Sequence, residues 1–279
     1  MAMVSAILTS AILNNRIPRQ GTDPKSPLDQ AQIRAFKVLD DQSSDGYRPK
    51  PGLSVLAART HGGKSLSFSL RTRKGDKVRF LVAADDSGHG VGSSIVTPLG
   101  EELATKQDQT VAVSSWTATS DGSIHVKATN SSSSDTTLVC AILLATASGG
   151  ISKESWDDVF EQATLDPEDD KGFDHLPDAW FLYGGVFDKG SPLNANLTLP
   201  GAHLKVVGLS DGACESNRLV VTDGDGKTMA TDDSSVEGDD IVEPQVEFEL
   251  KLKQQAVISF VNVKGDPSFA GISLLQTTK

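Results

Sequence analysis

Apolar and polar residues alternate along most of the chain from residue 53 onward, and this alternation is typical of β-strands. Successive side chains of a strand point to opposite faces, so a period of two marks a half-buried strand. Residues 65–70 read Ser-Leu-Ser-Phe-Ser-Leu and show the pattern clearly. About seven such segments, separated by turn signals, lie between residues 53 and 146, and a second series lies between 179 and 277. Short strands at this spacing predict antiparallel β-sandwiches.

Three segments outside these strands show helical spacing instead. Residues 4–14 carry apolar side chains at helical intervals, and this stripe is predicted to bury itself on its own sandwich, on a partner subunit or on a membrane surface. Ser26, followed by Pro27 and Asp29, has the signature of a helix N-terminus. A third helix is predicted from Ser152 to about Thr164.

The two series of strands correspond to each other. A hairpin sequence at residues 97–105 returns at 222–231, each time after a short apolar strand. Further segments match at a nearly constant offset of about 130 residues, namely 65–70 with 195–199, 77–83 with 203–209, 123–128 with 256–261, and 139–146 with 270–277. A single internal duplication explains this constant offset.

The sequence therefore predicts a mainly β protein of two tandem jelly-roll-like antiparallel β-sandwiches, with short helices at the N-terminus and between the repeats. The predicted boundaries are a helical N-terminal segment and linker at 1–50, repeat 1 at 51–148, a helix and acidic linker at 149–178, and repeat 2 at 179–279.

The net charge, the cysteine count and the length of the apolar runs limit which partners and environments are expected. The formal net charge of −11 and the pI near 4.9 make nucleic acid an unfavourable partner, because an acidic surface repels phosphates. The two cysteines, Cys140 and Cys214, lie at non-equivalent repeat positions and do not make a disulfide framework. No apolar run is long enough to span a bilayer, and residues 1–13 lack the basic start and cleavage site of a convincing signal peptide.

One hairpin of repeat 2 is a candidate metal site. Asp223 and Asp225 precede its turn and Asp232 and Asp233 follow it, and carboxylates at alternate loop positions are ligands that Ca²⁺ prefers. Asp-Gly pairs also occur in turns that bind no metal, and repeat 1 has Pro-Leu-Gly at the matching position. A second candidate for calcium is the acidic linker with Asp166, Glu168, Asp169 and Asp170. Calcium is the one cofactor that these patterns indicate.

A ligand patch is predicted where His175 lies close in sequence to Trp180 and Tyr183. Aromatic packing at the joint between the repeats is the alternative interpretation of these residues. The glycine-rich segment 88–93 is predicted to be an interstrand loop, because a phosphate-binding loop would lead into a helix and this one leads into a strand. No catalytic constellation can be argued from spacing alone, so no catalytic residue is predicted.

Repeat 1 resembles a known family in the strand 65–70, the segment Lys-Gly-Asp-Lys-Val-Arg-Phe-Leu-Val at 74–82, the Thr-Pro-Leu-Gly hairpin at 97–100, and Asp-Gly-Ser-Ile-His-Val-Lys-Ala at 121–128. These segments are similar to the bacterial pre-peptidase C-terminal domain. The resemblance covers residues 60–146 well and 190–277 less well, since Lys-Gln-Gln at 253–255 replaces the usual Asp-Gly. It implies a jelly-roll-like sandwich that is accessory and non-catalytic, in a secreted or cell-surface protein.

The function predicted from the sequence is therefore a non-enzymatic binding or accessory protein built from duplicated modules. Its expected partners are a protein surface, a polysaccharide surface, or copies of itself. The alternative is a structural subunit of a capsid, filament or surface layer that uses the apolar N-terminal helix for subunit contacts. A hydrolase whose residues converge only in three dimensions is the third hypothesis.

Overall fold

The structure, a computed structural model, describes residues 26–169, 172–237 and 240–278. The protein is mainly β with two helices in these residues, which confirms the predicted fold class. The first half contains α1 (Pro27–Ser44), β1 (Arg48–Pro49), β2 (Gly52–Thr60), β3 (Ser65–Thr72), β4 (Lys77–Ala84), β5 (Val91–Val96), β6 (Glu102–Asp108), β7 (Val111–Thr117), β8 (Gly122–Asn130) and β9 (Thr136–Leu144).

The second half repeats this order and adds one small hairpin. It contains α2 (Lys153–Asp169), β10 (Phe173–His175), β11 (Ala179–Phe187), β12 (Pro192–Leu199), β13 (His203–Ser210), β14 (Cys214–Asp223), β15 (Thr228–Asp233), β16 (Ser235–Glu237), β17 (Asp240–Val242), β18 (Gln245–Glu249), β19 (Gln254–Gly265) and β20 (Ser268–Thr277). The hairpin of β16 and β17 pairs only with itself.

Each half is an eight-stranded jelly roll. In the first half the strands run in the order β2-β9-β4-β7 in one sheet and β3-β8-β5-β6 in the other. In the second half the orders are β11-β20-β13-β18 and β12-β19-β14-β15, which is the same pattern strand for strand. This arrangement of two facing four-stranded sheets is the double-sheet jelly roll. The matched segments of the sequence occupy matched places in the two halves.

The two jelly rolls share one continuous sheet, because their first strands pair with each other. β2 and β11 lie antiparallel, with Gly185 of β11 opposite Leu53 of β2. A Cβ atom on Gly185 would overlap the carbonyl group of Gly52, so the close approach of the two strands requires glycine at this position. The sheet that results has ten strands and crosses the boundary between the repeats.

The large sheet is the middle of three layers. On one side the two small sheets cover it and enclose the sandwich core, a single cluster of buried side chains with members from both repeats. On the other side α1 and α2 pack against each other and against the sheet over a second apolar cluster. Trp156 of α2 is fully buried there and stacks on Phe160 and Phe269, and it also contacts Phe36 of α1.

The helix predictions have different outcomes. The capping box at Ser26 and Asp29 is present and α1 begins at Pro27, as predicted. The third predicted helix was expected to end near Thr164. This end was wrong, because the helix, α2 of the structure, continues to Asp169. The predicted helix at residues 4–14 lies outside the described residues. In the part of the chain that the structure describes, no helix is long and apolar enough to cross a membrane.

A pair of aspartates anchors the same corner of both jelly rolls. The carboxylate of Asp85 accepts hydrogen bonds from the backbone N–H groups of Ser87 and Thr137. Asp211, at the same place in repeat 2, accepts from the backbone N–H groups of Ala213 and Phe269. These carboxylates satisfy backbone donors that the turn leaves without strand partners, and we infer that both are structural.

Candidate functional site

A groove lies where the end of β2 meets the start of repeat 2. Its volume is about 730 Å³, which is within the range of small-molecule sites. Repeat 1 contributes its lining from the end of β2 and from the loop before β9, and repeat 2 contributes β10, the loop before β13, and the end of β20. The lining residues are Arg59, Thr60, His61, Asp135, Asp174, His175, Pro177, Pro200, Gly201, Ala202, His203, Gln276, Thr277 and Thr278.

A clasp between the repeats forms one end of the groove. The backbone N–H of His61 donates to Oδ1 of Asp178 at 2.9 Å, and its ring Nδ1 lies 2.7 Å from Oδ2. The backbone N–H of Asp178 donates in turn to the carbonyl oxygen of Arg59. Asp178 has a φ of +50°, a left-handed conformation that aspartate tolerates better than most residues. The hydrogen bond from the His61 backbone, together with the imidazole, lowers the pKa of the Asp178 carboxyl.

Pairs of basic and acidic side chains stand around the groove at separations longer than a direct hydrogen bond. Arg59 Nη1 lies 3.9 Å from Asp174 Oδ2, and His61 Nε2 lies 3.8 Å from Asp135 Oδ2. His203, which also lines the groove, has its Nε2 3.6 Å from Oε2 of Glu247 on the adjacent strand β18. All six side chains are between 45% and 56% exposed. Arg59 and Asp174 therefore present a hydrogen-bond donor beside an acceptor to a ligand in the groove, and Asp135 presents a further acceptor.

His175 occupies the buried floor beside this groove. Its ring stacks on Phe181 with centroids 3.8 Å apart, and Nε2 lies 3.1 Å from the carbonyl oxygen of Ala163 in α2. That carbonyl is four residues before Pro167, which has no backbone N–H to bond it. His175 supplies the missing donor through Nε2, and this explains how α2 continues through a proline. Burial lowers the pKa of the His175 imidazole to about 4, so the ring is neutral near pH 7.

The three residues of the predicted ligand patch lie in different surroundings. His175 packs beneath the helices, whereas Trp180 and Tyr183 point into the sandwich core on the other face of the large sheet. Trp180 is 7% exposed and donates its indole N–H to the carbonyl oxygen of Ser67, while Tyr183 is 5% exposed. Burial raises the pKa of the Tyr183 hydroxyl. Of the three, the structure brings only His175 to the groove.

The four aspartates of the predicted metal hairpin are spread along it. Asp232 pairs with Leu219, four residues before Asp223, which corresponds to a separation of roughly 13 Å along the strand. Asp223 accepts hydrogen bonds from the backbone N–H groups of Asp225 and Lys227. Asp233 is bound by Arg218, and Asp232 accepts from the backbone N–H of Gln245. These interactions are those of a tight turn and its flanking strands.

No group of three or more His, Cys, Asp or Glu side chains that could hold a metal ion occurs in residues 26–169, 172–237 and 240–278. The side chains of the second candidate set, Asp166, Glu168, Asp169 and Asp170, lie outside the described residues. Calcium binding stays a prediction, and melting temperatures with and without EGTA test it, because a bound ion must raise stability.

The groove residues Arg59, His61 and Asp135, and Asp178, which binds His61, were not predicted as a site. They come from places far apart in the sequence, and their meeting depends on the antiparallel pairing of β2 with β11. One signal was present in the sequence, since His61 directly follows the first strand of repeat 1 and Asp178 directly precedes the first strand of repeat 2. Residues 88–90 of the glycine-rich segment form an interstrand loop, as predicted, whereas residues 91–93 already belong to β5.

The fold and the groove together define the class of this protein, a duplicated jelly roll with a cleft at the boundary between its repeats. No protein-family model matches the chain, and no curated protein does. Among solved structures, the PBSX exported protein XepA is similar over 82% of this chain and 94% of its own, with 11% identity and a TM-score of 0.28.

A second similar structure is the N-terminal CBM22-1-CBM22-2 tandem domain of Xyn10C from Paenibacillus barcinonensis. It matches 84% of this chain and 94% of its own, with 8% identity and a TM-score of 0.25. Neither TM-score is high enough for an argument about function. The functional argument therefore depends on the groove itself.

Proposed function

We propose that this chain is a non-catalytic binding protein whose ligand occupies the groove between its two jelly rolls. The observation that supports the proposal most directly is that both repeats build the groove. Because β2 and β11 pair antiparallel, the end of the first strand of repeat 1 and the segment that leads into the first strand of repeat 2 form a single concave surface. Ligand sites commonly lie at such junctions between structural units.

The hydrogen bonds of the lining residues favour a role in ligand binding. The hydroxyl of Thr60 lies 3.4 Å from the carbonyl oxygen of Thr136, and that of Thr278 lies 3.1 Å from the carbonyl oxygen of Gly172, so both act in local structure. The Nδ1 atom of His61 is bound to Asp178, and His175 is bound to a helix carbonyl. These groups hold the walls in place and leave exposed donors and acceptors facing outward. A preorganised polar surface of this kind favours binding without requiring reaction.

Hydrogen-exchange mass spectrometry tests where a ligand binds. The protein is incubated with dextran, mannan or gelatin, which represent the two expected partner classes, polysaccharide and protein. We expect at least one of them to slow exchange in the segments 59–61, 173–178, 200–203 and 276–278. Protection confined to other segments would reject the groove as the binding site.

A pair of variants provides the matched control. Thr277→Trp places a bulky ring in the groove, and Asp188→Trp places the same ring just beyond the far end of β11, about 33 Å away by strand rise. We expect Thr277→Trp alone to abolish the protection. If both variants retain binding, the groove proposal is wrong.

A further inference from the structure

The charged side chains of the lining indicate which chemical class of ligand the groove accepts. Arg59 lies 3.9 Å from Asp174 and His61 lies 3.8 Å from Asp135, beyond the usual hydrogen-bond range of about 2.7–3.2 Å, so these half-exposed groups are open to hydrogen bonds from a ligand. Arg59 offers only donors and Asp174 only acceptors. A ligand group that both accepts and donates can complete such a pair. A hydroxyl group does both.

We propose that the groove binds an uncharged, hydroxyl-rich saccharide, with one hydroxyl that bridges Arg59 and Asp174 and another that donates to the carboxylate of Asp135. This inference rests on the function proposed above and specifies its ligand class. The first hydroxyl accepts from the guanidinium of Arg59 and donates to the carboxylate of Asp174, and the second donates to Asp135. The Nδ1–H of His61 is bound to Asp178, which leaves Nε2 of the neutral ring as a further acceptor in the groove. Hydrogen bonds to charged groups are among the stronger ones that proteins make, so they can offset the desolvation of the ligand.

The remaining lining agrees with a sugar. Pro177 and Pro200 supply apolar surface that can contact the C–H faces of a pyranose ring, and Gln276 adds an amide that both donates and accepts. An anionic ligand fits less well, because the lining carries the carboxylates of Asp135 and Asp174 against the single guanidinium of Arg59.

Isothermal titration calorimetry with saccharides of equal length tests the inference. The neutral probes are cellohexaose, maltohexaose and mannohexaose. The glucosamine hexasaccharide matches cellohexaose in its linkage and carries positive charge, and a galacturonic acid hexasaccharide carries negative charge. We expect at least one neutral probe to bind, and the galacturonic acid hexasaccharide to bind at least about tenfold more weakly than that probe.

Two variants connect the binding to the pairs. Asp174→Asn and Asp135→Asn keep the side-chain shape and remove the charge, and we expect each to weaken the binding of the neutral probe by about tenfold. Asp188→Asn makes the same change just beyond the far end of β11 and should leave the binding constant unaltered. Unchanged melting temperatures of all three variants establish that each is folded.

The inference is overturned if no neutral saccharide binds, if a charged hexasaccharide binds more tightly than every neutral one, or if the groove variants behave like Asp188→Asn. Its failure is separable from that of the proposed function. A peptide from gelatin that protects the groove in hydrogen exchange, together with no saccharide binding, would retain the binding function and reject the saccharide.

Discussion

At the scale of single residues, His175 was predicted from the sequence to contact a ligand, but in the structure its side chain stabilises the fold. It lies beside the groove, but its imidazole is used inward, between the ring of Phe181 and the carbonyl oxygen of Ala163. Its neighbours in the sequence, Trp180 and Tyr183, are buried in the other core. The groove contacts come instead from half-exposed residues such as Arg59 and His61.

The lowered pKa of His175 predicts a pH dependence of stability. In the unfolded chain the imidazole takes up a proton near pH 6.5, whereas in the folded protein it does so only near pH 4. The unfolded state therefore binds more protons between these values, and stability falls as the pH falls through this window. We expect a loss of about 2 kcal/mol between pH 7 and pH 5 from this residue alone.

His175→Gln is the variant for this measurement, because the Gln amide can still donate to the Ala163 carbonyl and does not titrate near these pH values. Urea denaturation at pH 7 and pH 5 gives the free energy of unfolding of both proteins. We expect the decrease to be smaller in the variant by about 2 kcal/mol. Equal decreases in the two proteins would contradict the assignment.

At the scale of elements, the pairing of β2 with β11 determines how the repeats are joined. Gly185→Ala would place a methyl group against the backbone of Gly52 and force the two strands apart. We expect a loss of about 3 kcal/mol in the free energy of unfolding, as for other overpacked interiors.

The adjacent glycine is the control for this substitution. A Cβ atom on Gly184 would approach the side chains of Phe269 and Val55 at 3.3 Å, and side chains can move more readily than backbone. Urea denaturation should therefore show a clearly smaller loss for Gly184→Ala. A larger loss in the free energy of unfolding for Gly184→Ala than for Gly185→Ala would contradict the conclusion that the contact between β2 and β11 at Gly185 is the tighter of the two.

The helical layer depends on one aromatic side chain that joins three elements. Trp156 of α2 contacts Phe36 of α1 and stacks on Phe269 of β20. We expect Trp156→Ala to destabilise the protein by about 4 kcal/mol, measured by urea denaturation, because it leaves a large cavity between the helices and the sheet. Trp116→Ala, at a partly exposed position on edge strand β7, should cost roughly half as much or less. Similar losses at both positions would contradict this account.

At the scale of the whole molecule, the continuous ten-stranded sheet and the shared cores make the two jelly rolls one structural unit. Both the sandwich core and the core beneath the helices contain side chains from each repeat. Separation of the repeats would expose the edges of β2 and β11 and much apolar surface.

We therefore expect a single cooperative transition in differential scanning calorimetry, with equal calorimetric and van't Hoff enthalpies. Gly185→Ala should lower the temperature of this one transition without splitting it. Two resolved transitions in the unmodified protein would show that the repeats unfold independently.

The sequence by itself determined the elements and their duplication. Alternation with period two, glycine turns and the capping pattern at Ser26 are local signals, and local chain geometry alone converts them into strands, hairpins and a helix. The offset of about 130 residues between matching segments predicted two similar sandwiches, and both appeared with the same strand order.

Tertiary structure alone decided how the halves combine and where the groove lies. The register of β2 against β11 is a long-range pairing between strands more than 100 residues apart, and neither strand carries a local signal for it. That register brings His61 to Asp178 and Arg59 to Asp174. The end of α2, predicted near Thr164, was misjudged for the same reason, because the donor that satisfies the carbonyl of Ala163 is His175 of β10. Local patterns specify elements, whereas contacts between distant segments specify the site.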